Sequence, residues 1–437
     1  MLQSATLTRK PAARRRAHRL CGLALILLAF ALALPAGAFA YISAGGGATV
    51  SVRSSAGRQD LSGVAFIDAT HGWAVGGTYD QATQTNTGAI LATTDGGATW
   101  RKQKSGNEAP VAVAFVDATR GWAVGWSGII ATTDGGATWI NRHSWMQTTW
   151  LGGLAFIDAT RGWVVGGEGT IIATTDGGAT WSTQSSGSDQ GLQGVTFIDA
   201  THGWAVGQGG TILATTDGGA IWNKQISGTT EELHGVAFID VTHGWAVGMS
   251  GVILATADGG TTWSPQSSGS GANFGKGAPV VFSDATHGWV VGSGGAILAT
   301  TDGGATWGAQ SAGSGESLEG VAFPDATHGW VVGSGGTILA TTDGGATWSR
   351  QSPGNLSALK PASGKRGATV TIGGTGFSAA RGQSTVTFGA AKCIKYLSWS
   401  ATQITCKVPA KAKYGKVNVT VTTAAGASNA KSFTVKR

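Results

Sequence analysis

Beyond its first forty residues the chain lacks any long stretch with helical periodicity, which argues against a helical bundle or helical solenoid. Charged residues are sparse, 12% of 437, and only nine prolines occur. Glycine is abundant, at 73 residues, but it recurs at fixed places rather than in triplets, which excludes collagen. Those places suit turns that need positive φ, or strands that need close backbone approach. Of three cysteines, Cys21 lies in the N-terminal apolar run, so an exported chain keeps Cys393 and Cys406. Two cysteines make a poor metal site and, in an oxidising compartment, one candidate disulfide. Finally, residues 355–437 contain no acidic side chain at all.

What is present begins with a leader. Arg9, Lys10, Arg14, Arg15, Arg16 and Arg19 precede an apolar run over 20–34, and Ala38, Phe39 and Ala40 form a small-x-small site. This predicts a signal peptide over 1–40 and a secreted, periplasmic or cell-surface protein. An uncleaved membrane anchor over 20–39 is the alternative. Cys21 starts the apolar run instead of ending it, against a lipoprotein anchor. Residues 41–354 hold 11 basic and 23 acidic side chains, whereas 355–437 hold 13 basic ones. The overall pI of 9.4 is therefore no argument for nucleic acid, and no nucleic-acid partner is expected.

The octapeptide Thr-Thr-Asp-Gly-Gly-Ala-Thr-Trp at 93–100 returns, with small changes, six more times. Its aspartates are Asp95, Asp134, Asp176, Asp217, Asp258, Asp302 and Asp343, at intervals of 39, 42, 41, 41, 44 and 41 residues. In the fifth unit, strands are predicted over 233–239, 245–248, 252–256 and 262–266, and four short strands per forty residues is a propeller blade. Seven such units predict an all-β fold with a seven-bladed β-propeller over 41–354, a closed toroid and not an open solenoid. Residues 45–51 align with the box and its following strand, so they compete with 346–351 for the closing strand.

The box has a structural explanation. Its Asp accepts from nearby backbone N–H groups, its glycines permit a tight turn, and its Trp packs at the blade edge or between blades. Sevenfold recurrence weighs against chemistry, because an active site is needed once. The same holds for the Gly-Trp pairs at Trp73, Trp122, Trp163, Trp204, Trp245, Trp289 and Trp330. His71, His202, His243, His287 and His328 occupy one equivalent turn per blade, with Arg120 and Arg161 in the other two. They cannot converge on one ion, and no metal or cofactor is expected.

Subtracting the repeats exposes individual residues. Trp126 replaces a small residue between the second and third strands, and Trp145 and Trp150 lie in a link between blades, near Arg142 and His143. In an antiparallel blade these two kinds of link emerge on one face. The insertion over 78–87, with Tyr79 and Asp80, leaves from that face, as do Glu108 and Glu168. Tyr79, Trp126, Arg142, His143, Trp145 and Trp150 are thus candidate binding residues on an irregular aromatic rim. The alternative is that Trp145 and Trp150 only cover a gap between blades. In 355–437, alternating stretches over 368–372, 384–388, 403–408, 417–421 and 433–435 predict a small immunoglobulin-like β-sandwich. Its lysines, including Lys392, Lys395, Lys411 and Lys413, form a candidate face for an anionic envelope polymer or lipid surface. Docking on the propeller's acidic surface is the other use of that charge.

The repeated element resembles the Asp-box, or bacterial neuraminidase repeat. With Gly-Trp-Ala-Val-Gly, the unit is similar to the propeller family of photosystem II assembly and stability factors. That resemblance implies a secreted or periplasmic propeller that binds other proteins without enzyme activity. In the photosynthetic members a basic propeller patch is associated with binding; this propeller is net acidic, so the patch is not carried over. Residues 371–377, 386–389 and 403–409 resemble an IPT/TIG domain of the bacterial surface-protein kind.

The expected function is a non-enzymatic, monomeric extracytoplasmic binding or scaffold protein, its rim recognising a protein or glycan. The alternative is a propeller glycoside hydrolase. A sialidase needs an arginine cluster and a Tyr/Glu pair, yet residues 41–354 contain only Tyr41 and Tyr79. A glucanase-like site needs two opposed carboxylates, for which Asp80, Glu108 and Glu168 are the candidates.

Overall fold

The computed structural model describes residues 59–80, 85–97, 100–106, 108–126, 128–143, 150–350, 355–375, 377, 381, 384–400, 402–423, 426–428 and 430–437. The leader, the segment 45–51 and Trp145 lie outside the described residues, as do the side chains of Tyr79 and Asp80. The first part of the described chain forms seven four-stranded antiparallel sheets, each a meander in chain order. In the fifth, the strands are Leu233–Phe238, Gly244–Gly248, Ile253–Thr256 and Ser264–Gln266. The first two are buried along their whole length, and the fourth is largely exposed. The architecture is all-β and propeller-like. The seventh sheet takes its fourth strand, Ser349–Arg350, from its own repeat.

The seams between sheets explain the repeated residues. Each Gly-Trp tryptophan stacks on a phenylalanine at the end of the next sheet's first strand, with ring centroids 3.5 to 3.7 Å apart. Its indole N–H donates to the carbonyl of the first box glycine of that next sheet, as from Trp204 to Gly259 at 3.0 Å. The box tryptophan then meets the same phenylalanine edge-on, as Trp263 meets Phe238 at 5.9 Å. On its other side the phenylalanine lies over the glycine of its own sheet's Gly-Trp pair, where a Cβ would run into the ring. That is why Gly precedes Trp in every repeat: the pair supplies the space for one ring and the lid for the next. Trp330 of the seventh sheet makes both contacts with Phe66 and Gly96 of the first.

The box itself is a tight turn held by its own polar groups. Asp134 accepts from the Thr138 amide at 2.8 Å and from the Thr132 and Thr138 hydroxyls at 2.8 and 2.7 Å. Gly135 and Gly136 take φ of 72° and 93°, a region that penalises a Cβ. In the fourth sheet Ile221 stands where other boxes have Thr, and only its amide reaches Asp217.

Residues 355–437 form an immunoglobulin-like sandwich. One sheet is ordered Asn355–Lys360, Thr369–Thr375, Gln403–Lys407, Tyr396–Trp399; the other is built on Gly415–Thr423, flanked by Thr385–Phe388 and Lys431–Lys436. The core includes Ile372, Phe377, Phe388, Ile404, Val419 and Phe433. The strand Tyr396–Trp399 falls outside the expected stretches because its side chains are mostly half-exposed and do not alternate cleanly. Its aromatics are nonetheless anchored: Tyr396 Oη accepts from the Val386 amide at 2.8 Å, and Trp399 donates to the Phe377 carbonyl at 2.7 Å.

Two substitutions test the seam. Trp204→Ala removes a stacked ring and its hydrogen bond and is expected to cost about 3–5 kcal/mol in chemical denaturation. Gly203→Ala, which forces Phe197 aside, is expected to cost about 1–3 kcal/mol.

Candidate functional site

The two ends of the sheets differ in kind. At one end each box packs on its sheet's first turn, as Gly135 N donates to Thr119 O at 2.8 Å. In that turn Asp117 accepts from the Thr119 hydroxyl and amide and the Arg120 amide, and pairs with the Arg120 guanidinium at 2.7 Å. Partial burial alone would raise the Asp117 pKa, but these donors hold it down at about 2. His202 takes the same place beside Asp199, at 2.8 Å. Each histidine or arginine is therefore committed to its own aspartate, and among the described residues no group of three or more His, Cys, Asp or Glu side chains is arranged to hold a metal.

The opposite end carries the unrepeated residues. There the amide after each second strand donates to the residue preceding a first strand: Gly167 to Trp150, Gln208 to Gly191 and Met249 to Glu232, each at 2.9 Å. Trp126, 47% exposed, is a turn residue at a position filled elsewhere by Gly167, Gln208, Met249, Ser293 or Ser334. Trp150 is half-buried, and its ring is close enough to Gly191 of the next sheet that a Cβ there would lie 3.2 Å away. Arg142 and His143 are half-buried on the strand Ile140–His143, and the Arg142 Nε is buried without a hydrogen-bond partner. Tyr79 pairs through its backbone with Asn86 in a hairpin extended beyond those of the other sheets.

The two described carboxylates proposed for hydrolysis have other roles. Glu108 pairs with Lys104 at 3.0 Å. Glu168 takes φ of 53°, in the place of Gly209 (62°) and Ser250 (55°), so it is a turn residue repeated around the ring.

Sequence reasoning missed a polar network on the innermost strands. His234 and Gln193, each 1% exposed, face Glu232: the Gln193 amide donates to Glu232 Oε1, and His234 Nε2 lies 3.8 Å from the same oxygen. His234 Nδ1 contacts the Phe274 carbonyl at 2.7 Å. Farther round, the Lys276 amide donates to Glu319 Oε2 at 3.0 Å, while Gly277 and Ala278 donate to the Glu319 carbonyl. The nearby His234 ring holds the Glu232 carboxyl below its ordinary value, whereas burial pushes Glu319 up. The contacts to Phe274 and Lys276 lie at the sixth sheet, whose first strand is only Val280–Phe282 and whose repeat has the longest interval, 44 residues. Comparing the second residue of each first strand would have found it: Ser62, Val111, Gly152, Gln193, His234 and Glu319 are not interchangeable.

In the sandwich, Lys392, Lys395, Lys411 and Lys413 are exposed. Cys393 and Cys406 are free, buried thiols in one core. The neighbouring Cys406 thiol, as its hydrogen-bond partner, holds the Cys393 pKa below its ordinary value.

Stacked four-stranded repeats with an immunoglobulin-like domain define a propeller-type repeat protein with an appended sandwich. The family model for photosynthesis system II assembly factor YCF48 matches residues 146–224, 276–352 and 313–365, and that for the IPT/TIG domain matches 355–435. The chain thus carries a YCF48-like propeller domain followed by an IPT/TIG domain. Among solved structures it is similar to YCF48 bound to a D1 peptide, with 22% identity, TM-score 0.53, and coverage of 65% of this chain and 94% of that one. It is also similar to YCF48 from Cyanidioschyzon merolae, with 20% identity, TM-score 0.46, and coverage of 68% and 94%. PorZ, a surface component of the type-IX secretion system of Porphyromonas gingivalis, matches at 14% identity and TM-score 0.50, over 89% and 61%. Among curated proteins nothing matches. At these identities the structural likeness speaks for the fold.

Because folding favours the protonated form of Glu319, its contribution to stability is present below the ordinary carboxylate range and is lost as pH rises through its raised value. Glu319→Gln is therefore expected to raise the thermal midpoint at neutral pH, with the gain shrinking toward pH ~4.

Proposed function

We propose that the chain is a non-enzymatic, extracytoplasmic binding or assembly protein, a closed seven-bladed propeller that recognises a protein segment on its irregular rim. The observation that carries this reading is Trp126, exposed at a turn beside a strand bearing an unsatisfied arginine. Exposed tryptophan and arginine are the residue types enriched in binding hot spots. Farther round the same end, Asp60 and Glu232 occupy the position that Trp150 takes in the third sheet. An aromatic sector and an acidic sector suit a segment with apolar and basic side chains. The YCF48 propeller solved with a D1 peptide supports a peptide as ligand class. The basic sandwich holds the anionic envelope.

Against the hydrolase alternative, the Glu108 carboxylate is held in an ion pair with Lys104 and Glu168 stands at a turn position shared with Gly209 and Ser250. The rim reading is tested by photo-crosslinking from position 126 in the native envelope. Trp126→Ala and Arg142→Ala are each expected to weaken capture of the partner about tenfold or more, without moving the thermal midpoint. Capture unchanged in both variants would refute the rim as the site. In an oxidising compartment Cys393 and Cys406 are expected to pair, read as a mass lower by about 2 Da and loss of alkylation after unfolding.

A further inference from the structure

The sandwich has 13 basic and no acidic residues over 355–437, and the fold gathers much of that charge at one edge. Lys407 N donates to the Lys395 carbonyl at 3.0 Å, continuing the pairing of Gln403–Lys407 with Tyr396–Trp399, so two lysines stand side by side on neighbouring strands. Lys407 Nζ reaches the Gly367 carbonyl at 3.2 Å, and Gly367 N returns a bond to Val408 at 2.9 Å. Arg366 donates to the Ala412 carbonyl at 2.9 Å and lies 3.9 Å over the Tyr414 ring. Segments 365–368, 393–395 and 407–414 therefore meet, bringing Lys365, Arg366, Lys395, Lys407, Lys411 and Lys413 together.

Neighbouring like charges destabilise a sheet unless an opposite charge compensates them, and no side chain of this domain can do so. The edge also projects a large apolar side chain: Ile394, between Cys393 and Lys395, is 91% exposed. Tyr414, stacked under Arg366, is half-exposed at the same edge. A soluble polyanion would be held by the lysines alone and gives no use to Ile394. A bilayer uses both, since phosphate headgroups neutralise the cations while an aliphatic side chain reaches the acyl boundary.

We propose that this edge binds the surface of an anionic lipid bilayer, with Ile394 inserted and the surrounding lysines and Arg366 in the headgroup layer. The proposal rests on the reading that the sandwich contacts an anionic envelope, and names the lipid as its partner.

The test is co-sedimentation of the full chain with vesicles of phosphatidylglycerol and phosphatidylcholine, taking pure phosphatidylcholine vesicles as the baseline for the apolar leader. Binding above that baseline should fall with salt. It should fall about fivefold for each lysine removed in Lys411→Ala and Lys413→Ala, and about tenfold in Ile394→Ser. Binding of the same proteins to soluble polyphosphate should respond to the lysine variants and not to Ile394→Ser. If Ile394→Ser leaves vesicle binding unchanged, or polyphosphate is bound while vesicles are not, the lipid proposal is overturned and the envelope reading stands. If neither is bound, both fall. Ile394 is exposed enough that its replacement leaves the fold intact, which the thermal midpoint checks.

Discussion

A phenylalanine ring held between a tryptophan of the preceding sheet and a glycine of its own is the contact on which the propeller depends. It does three things at one place. It buries two large aromatic faces, it sets the spacing between neighbouring sheets, and it aims the indole N–H at a box carbonyl. The seam between Trp330 and Phe66 is built like the one between Trp204 and Phe238. A small side chain in place of the tryptophan opens the seam; a larger one in place of the glycine lifts the ring out of it.

Because the seam consumes the same residues in every repeat, individuality is confined to positions that it leaves free. These are the links at the end opposite the boxes and the second residue of each innermost strand. The two respond to different demands. Trp126 projects from a turn that does not help to hold the sheets, so its size is free to serve recognition. His234 and Glu319 bond the segment 274–276 that leads into the short inner strand of the sixth sheet, while Gln193 and Glu232 pair across the seam between the fourth and fifth sheets. Polar groups confined there are costly unless paired.

The division of charge follows a comparable logic. The acidic turns of the propeller-like region are satisfied locally, each first-turn carboxylate by its own hydroxyl, amides and a neighbouring Arg or His side chain. The sandwich has no such internal compensation. Its cations are brought to one edge by ordinary strand pairing and by Arg366 stacking on Tyr414, and the field they create is uncancelled.

The all-β class, the propeller-like repeat with its four-stranded sheets and the sandwich were legible in the sequence, because turn glycines, alternation and box spacing are local properties. The structural role of the aspartates was legible for the same reason: each satisfies donors within four residues of itself. Glu168 stands at a turn position that the repeats fill elsewhere with Gly209 and Ser250, and its positive φ is a property of that turn. The inner network went unseen because Gln193 and Glu232 are far apart along the chain and meet only across a seam. By itself the sequence determined what every sheet must contain, since hydrogen bonding and ring size act over a few residues. Only the tertiary structure decided which distant residues meet, as Gln193 meets Glu232, since that depends on how successive sheets pack on one another.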